Sequence, residues 1–411
     1  MVKTFKIPWA SWYEPKELTL EFPDTWEIQL FDVKEAPEIK DENEIRRLLN
    51  TPIGTPTIAE LAKDKKTAVI VVDDISRHTK TERILSVVLD ELNQAGIGDD
   101  DITLIVALGA HRPMTRSDFI KKVGLQIMER INVKNHHPFL NLEYLGESKL
   151  GTPIYINKTY HESDLKISVG GVIPHISAGF GGGAKIILPG VSGIKTLEAN
   201  HSATLKGANV GLGHITELRR DIEDVCSRVG LDFSINVIPR IDGSPAGIFA
   251  GHYIDAHREA IKLLRALYEV KIPPKTKFDV AFFNSYPEDT ELSQSTKALN
   301  IYLLNVKLVS FRGAVAILSA SSEGRGYHSL NGETGASLYK NPEENIIWST
   351  FGKRSLFLYS PNITQADMLH FYPKHTNFEK DFNTLIKKLE DKMGKSIKAC
   401  IFLTSIQLPK K

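Results

Sequence analysis

The run Thr67-Ala-Val-Ile-Val-Val-Asp73 constrains the fold more than any other feature of the chain. A near-continuous β-branched run without polar alternation marks a strand buried on both faces, which is the habit of parallel strands covered by helices. Ile84, Val87, Val88 and Leu92 then recur at helical spacing, predicting a helix over 79–92. Ile102-Thr-Leu-Ile-Val-Ala-Leu108 reads as the next strand and 116–123 as the next helix. Strand–helix–strand–helix order predicts an α/β fold built on a largely parallel sheet. Ligands in such sheets sit outside the carboxyl ends of the strands. Both ends here carry chemistry: Asp73-Asp74-Ile75-Ser76-Arg77 after the first strand, Gly109-Ala110-His111-Arg112-Pro113 after the second.

Residues 255–270 read as an amphipathic helix, with Ile261, Leu264, Leu267 and Tyr268 on one face. Lys271-Ile-Pro-Pro-Lys-Thr-Lys277 reads as a linker. A second α/β pattern follows it. Residues 278–283, 313–319 and 399–404 are strand candidates, and Phe382, Leu385, Ile386, Leu389 and Met393 mark a helix. The expected architecture is two α/β domains, 1–270 for cofactor binding and 275–411 closing over an active-site cleft between them.

Charge and cysteine content narrow the function. The chain has 51 Lys+Arg against 50 Asp+Glu, a net charge of +1, which argues against a nucleic-acid binder with a broad basic face. No stretch approaches the ~18–20 apolar residues of a membrane helix. Lys3 and Lys6 have no apolar signal core behind them. With only Cys226 and Cys400, neither a disulfide framework nor a Cys-rich zinc site is expected, and the expected compartment is the cytoplasm. No H-E-x-x-H and no G-x-S-x-G occurs, which disfavours a metalloprotease and an ordinary serine hydrolase.

The most informative segment runs from Gly170 to Gly193 and contains His175, Gly179-Phe-Gly-Gly-Gly183 and Lys185. Its glycines permit backbone conformations closed to other residues, and its amides are candidates to cradle a phosphate. A tight turn or a flexible active-site loop fits them equally. A Walker A loop does not fit: Ala184 and Ile186 stand where the second glycine and the magnesium-binding hydroxyl belong. His111, His175 and His201 all sit in loop-like contexts, where a satisfied structural histidine is the commoner outcome. Asp74 and Arg77 form either a carboxylate clamp or a local cap. Gln294 and Lys297 share a helical face at i and i+3, the spacing of an ordinary solvated face as well.

Together these segments resemble the nickel-dependent lactate racemase family. The resemblance rests on Asp74-x-x-Arg77, Gly109-x-His111-Arg112, Pro174-His175, Ala178-Gly179-Phe180-x-Gly182-Gly183-Ala184-Lys185, His201 and Gln294-x-x-Lys297, in that order. It implies racemisation or epimerisation at C2 of a 2-hydroxy acid through reversible hydride transfer. It implies a nickel-pincer nucleotide attached at Lys185, supplied by cofactor-biosynthesis proteins, with His201 on the nickel. It implies that His111 and His175 exchange protons, that Asp74, Ile75, Ser76 and Arg77 contact the cofactor, and that Gln294 and Lys297 reach the reacting groups. The glycine loop would then meet the cofactor's phosphate. Ser293 stands where lactate-specific members carry a tyrosine, so larger acids such as malate, hydroxyglutarate, aryl or sugar acids are expected to fit. An NAD oxidoreductase would need G-x-G-x-x-G after the first strand, which Val72-Asp-Asp-Ile-Ser76 does not supply. The alternative outside these enzymes is a nucleotide- or phosphate-binding protein without racemase activity.

Overall fold

The predicted first strand forms as Ala68–Asp73 (β1), with Val69 through Val72 fully buried, as a strand covered on both faces must be. In the computed structural model, which describes residues 2–205, 211–273, 275–330, 339 and 341–410, β1 joins a six-stranded sheet. The others are β2 (Ile102–Ala107), β3 (Asn132–Asn135), β4 (Leu165–Gly171), β5 (Phe233–Pro239) and β6 (Pro245–Gly251). Their spatial order is β6-β5-β4-β1-β2-β3. Every pairing is parallel except β5 with β6. The helices that serve the argument are α1 (Glu82–Gln94), α2 (Arg116–Val123), α3 (Ile194–Leu205), α4 (Glu217–Val229) and α5 (Asp255–Tyr268).

Local chemistry explains where the helices begin. Thr115 accepts from the backbone of Asp118 while Asp118 accepts from Thr115, a reciprocal cap that opens α2. Thr216 caps α4 by accepting from the Arg219 amide, and Gly230 ends it. Strand β4 is hidden from a reading of apolar runs because Lys166 and Ser168 interrupt it.

The strand order places β1 beside β4 although the chain visits β2 and β3 between them. Connections leave these neighbours in opposite directions, and the carboxyl ends of strands at such a switch point are where ligands of open α/β sheets bind. The residues after β1 are Asp74 to Arg77, and those after β4 include His175.

This sheet belongs to a compact unit of residues 35–267. The other unit is residues 1–34 with 268–411, a division that groups the chain start with the later residues where the sequence suggested 1–270 and 275–411. Its sheet is also six-stranded and wholly parallel, in the order Asn377–Glu379, Ser355–Tyr359, Val309–Leu318, Phe278–Asn284, Lys398–Phe402, Glu27–Phe31. Glu27–Phe31 pairs with the last strand of that sheet in sequence, Lys398–Phe402. Phe22 packs edge-on against Phe282 and Phe382, with centroids 5.4 Å away in each case. Pairing between the two ends of a chain leaves no local periodicity, so no sequence pattern announces it.

Candidate active site

The turn after β1 is fastened from beneath. One oxygen of Asp73 accepts from the Gly171 amide at 2.8 Å, and the other pairs with the Lys122 ammonium at 2.6 Å. Lys122, fully buried on α2, also donates to the carbonyls of Arg77 (2.9 Å) and Thr79 (2.8 Å). Burial pushes the ammonium's pKa down, with Asp73 opposing. A lysine adjacent to another in sequence reads as a solvated residue, so nothing in the pattern singles it out.

On that turn stands Asp74, buried and hydrogen-bonded through both oxygens. Oδ1 accepts from the Ser76 amide at 3.1 Å and hydroxyl at 2.5 Å; Oδ2 lies 2.6 Å from Nδ1 of His111. Burial works against ionisation, but the charge and hydrogen bond of His111, then Arg77 and Ser76, hold the carboxyl well below the usual range. An ionised Asp74 requires hydrogen on Nδ1, which makes Nε2 the basic nitrogen of a neutral His111. Arg77 donates to the Ser76 hydroxyl at 3.1 Å, so Asp74, Ser76, Arg77 and His111 form one network. Ile75 is buried beside them.

His175 has the opposite polarity. Its Nδ1 accepts from the amides of Ser177 (3.2 Å) and Ala178 (3.1 Å), so the hydrogen of the neutral ring is on Nε2. At rest one histidine therefore offers a basic Nε2 and the other an Nε2–H.

The glycine loop resolves in favour of a tight turn. The Gly181 amide donates to the Ile173 carbonyl at 2.7 Å, and the Gly183 amide to the Asn236 side chain at 2.8 Å. Two of the loop's amides are thus engaged within the protein and are not open to a phosphate. Its glycines serve close packing. At Gly179, with φ of +78°, a Cβ would lie 1.6 Å from the His214 carbonyl oxygen. At Gly183, with φ of +55°, it would lie 2.8 Å from the Tyr253 carbonyl oxygen.

The loop delivers Lys185 on a short 3-10 turn, Gly183–Ile186. His201 rides on α3, and its Nδ1–H donates to the Leu197 carbonyl at 2.8 Å. Burial, then the charge of Lys185, pushes the His201 pKa down to about 4, and His111 adds a smaller push. The ring is neutral with its lone pair on Nε2, and Lys185 and His111 lie near enough to be felt. These residues fit a nickel-bearing cofactor: a neutral imidazole nitrogen suits nickel, and a primary amine suits a covalent tether. Among the described residues no group of three His, Cys, Asp or Glu could hold a metal ion alone. A nickel ion here would take its other ligands from the cofactor.

Gln294 and Lys297 lie on the other unit, in the 3-10 helix Leu292–Leu299. They do not form a solvated face. Lys297 is ion-paired with buried Glu288. The Gln294 amide donates to Glu291 and to the Ser293 hydroxyl, both at 3.3 Å, and the Ser293 hydroxyl donates to Glu291 as well. No sequence pattern marks Glu288 or Glu291. His136 is a core residue: its Nε2 bonds the Ser192 carbonyl at 2.9 Å, its Nδ1 accepts from Asn157, and burial lowers its pKa to about 4.

Residues 13–213 match the lactate racemase N-terminal domain. A lactate racemase of Thermoanaerobacterium thermosaccharolyticum is 29% identical over 296 residues, covering 70% of this chain and 69% of that protein. One of Lactiplantibacillus plantarum is 29% identical over 305 residues, covering 71% and 70%. Among solved structures, the lactate racemase apoprotein of T. thermosaccharolyticum superposes over 100% of both chains with a TM-score of 0.78 at 23% identity. A Thermotoga maritima protein superposes with a TM-score of 0.66 at 18% identity, over 92% of this chain and 99% of the other. At those identities the superpositions establish the shared fold.

Proposed function

This chain is a homologue of the lactate racemases, carries their N-terminal domain and is an isomerase of the racemase type, and from that premise we propose that it inverts C2 of a 2-hydroxy acid by reversible hydride transfer. The observation that carries the proposal is the Asp74–His111 pair near Lys185 and His201 at the carboxyl ends of β1 and β2. The expected cofactor is a nickel-pincer nucleotide held covalently by Lys185, with His201 Nε2 on its nickel. When bound, that group supplies an electron-poor ring able to accept and return hydride.

The chain's own residues account for the proton chemistry. The C2 hydrogen is too weakly acidic for an imidazole of ordinary pKa, about 6.5, to remove as a proton. The hydroxyl proton is within reach, and His111 takes it at Nε2 while Asp74 stabilises the imidazolium that forms. For His175 to protonate the oxygen as the planar keto acid is reduced on its other face, its ring takes up a proton at Nδ1 in place of the two amide bonds, because giving up Nε2–H from the neutral ring would leave an imidazolate. In the reverse direction the two exchange roles. A cationic Arg or Lys holds the substrate carboxylate. Asp74, Ile75, Ser76 and Arg77 make the proposed cofactor contacts, and Gln294 and Lys297 are proposed to meet the reacting groups.

Ser293, engaged by Glu291 and Gln294, is a small polar residue. The proposed substrate range therefore extends beyond lactate to larger or more hydroxylated acids. No helix among the described residues is long and apolar enough to cross a membrane. Cys226 and Cys400 are both buried thiols, which supports a reducing cytoplasm as the proposed compartment.

The test is intact mass and nickel content of protein co-expressed with the cofactor-making proteins, beside Lys185→Ala. A mass adduct with about one nickel per chain, both lost in the variant, is the expected result, followed by turnover on a panel of hydroxy and sugar acids. No adduct and no nickel, under conditions that load a lactate racemase, would refute the assignment.

A further inference from the structure

Helix α4 carries two fully enclosed charges, at Arg219 and Asp221, that the proton chemistry does not use. The guanidinium of Arg219 lies under the glycine loop. It donates to the carbonyls of Gly182 at 3.1 Å and Gly181 at 3.2 Å, closely to that of Phe180, and at the longer distance of 3.5 Å to Ala178. His257 on α5 adds a bond to the Gly181 carbonyl at 2.8 Å. Burial brings the Arg219 pKa down to about 10, so it remains a cation at neutral pH. A planar fork spread over consecutive carbonyls fixes a loop in a way no single-point donor can. Three residues beyond the last of those carbonyls stands Lys185.

Asp221 turns the other way. Residues two apart on a helix project roughly 200° from one another. Asp221 accepts from Asn200 at 2.8 Å, from Thr152 at 2.8 Å and from Ser148 at 2.5 Å. Asn200 is buried on α3, immediately before His201. One helix thus grips both the loop that delivers the lysine and the helix that delivers the histidine.

We propose that Arg219 and Asp221 are positioning residues that set the spacing between the cofactor tether and the nickel ligand, Arg219 acting on Lys185 and Asp221, through Asn200, on His201. The proposal rests on the reading that Lys185 and His201 hold the nickel-pincer nucleotide. It assigns the two residues separable effects. Arg219 governs whether the lysine meets the cofactor and so how much adduct forms. Asp221 and Asn200 govern how firmly His201 keeps the nickel once the adduct is made.

The experiment compares wild type, Lys185→Ala, Arg219→Lys and Asn200→Ala, each co-expressed with the cofactor-making proteins and each checked for its melting temperature. Arg219→Lys keeps the buried charge but loses the fork. Asn200→Ala cuts the link to α3 while leaving Asp221 its bonds to Ser148 and Thr152. In Arg219→Lys the adduct fraction by intact mass is expected to fall about tenfold while nickel per adduct stays at the wild-type value. In Asn200→Ala the adduct fraction is expected to hold, while nickel is lost to a chelator about tenfold faster. If Arg219→Lys does not fold, the Asn200→Ala arm decides. A fall in nickel per adduct in Arg219→Lys, a fall in the adduct fraction in Asn200→Ala, or neither variant differing from a wild type that loads, overturns the proposal. Wild type indistinguishable from Lys185→Ala overturns the cofactor reading instead, and this proposal with it.

Discussion

Replacing Asp74 with Asn changes one charge and almost no volume, so its effect isolates the electrostatics of the pair with His111. The carboxylate accepts on both oxygens, from Ser76 at 2.5 Å and from His111 at 2.6 Å. An amide has one acceptor to give. If its oxygen stays with Ser76, its NH₂ faces Nδ1 of His111, and that nitrogen must become the acceptor. The hydrogen of the ring then moves to Nε2, and the base becomes a donor. A hydrogen bond to a charged group contributes about 1.5–3 kcal/mol. At 1.36 kcal/mol per tenfold, that alone costs kcat about 10- to 150-fold. A wrong tautomer extends the loss toward about 10⁴-fold. The assay is enantiomer-resolved chromatography of the loaded enzyme, run from each enantiomer of an accepted hydroxy acid, with nickel per chain measured on the same sample. Asp74→Asn is expected to lose at least tenfold in kcat from both enantiomers, with nickel retained. A kcat within threefold of wild type at full nickel loading would refute the assigned tautomer and the role of Asp74 with it.

Three further outcomes follow from the packing and the buried charges. In Gly179→Ala the new methyl has no room beside the His214 carbonyl oxygen, 1.6 Å from the Cβ position. A cost of about 3 kcal/mol for backbone strain would lower the melting temperature by roughly 6–12 °C, and an unchanged melting temperature would contradict the close approach. Lys122→Met strands the Asp73 carboxylate that the ammonium meets at 2.6 Å. A loss of about 3–5 kcal/mol in urea unfolding is expected, and a loss under 1 kcal/mol would mean Asp73 is already satisfied. His136 has a pKa of about 4 when folded and about 6.5 when unfolded. Between those values the unfolded chain binds the proton and the folded chain does not. Its contribution is therefore full above about pH 6.5 and falls by roughly 3 kcal/mol as pH drops to 4. His136→Gln should flatten the stability slope between pH 7 and 5, and an unaltered slope would show that other groups set it.

The site is legible in the sequence wherever a residue's type and its place at a strand end coincide. Asp74, Arg77 and His111 follow apolar runs that announce themselves as strands, so their position follows from local pattern alone. His175, Lys185 and His201 are marked by the glycine-rich segment and the family resemblance. The residues that hold these in place are not legible. Lys122 reads as one of two adjacent surface lysines, and Arg219 and Asp221 sit in a helix rich in charges (Glu217-Leu-Arg-Arg-Asp-Ile-Glu-Asp). Nothing local separates the charges of that helix that face inward from those that face water. The glycines are legible only in part. Their number suggests open amides for a phosphate, whereas Gly181 and Gly183 donate to Ile173 and Asn236, and their neighbours make room for packed backbone.

The sequence by itself determined the α/β class, the parallel sheets and the ends of strands where chemistry would gather, because burial on two faces and helical spacing are local properties of a chain. Tertiary structure alone decided which strands became neighbours. Placing β1 next to β4, and Glu27–Phe31 next to Lys398–Phe402, depends on contacts between residues far apart in sequence. It also decided which histidine offers a lone pair and which a hydrogen, because a ring's tautomer is set by the partner of its other nitrogen. Asp74 supplies that partner for His111, and two backbone amides supply it for His175.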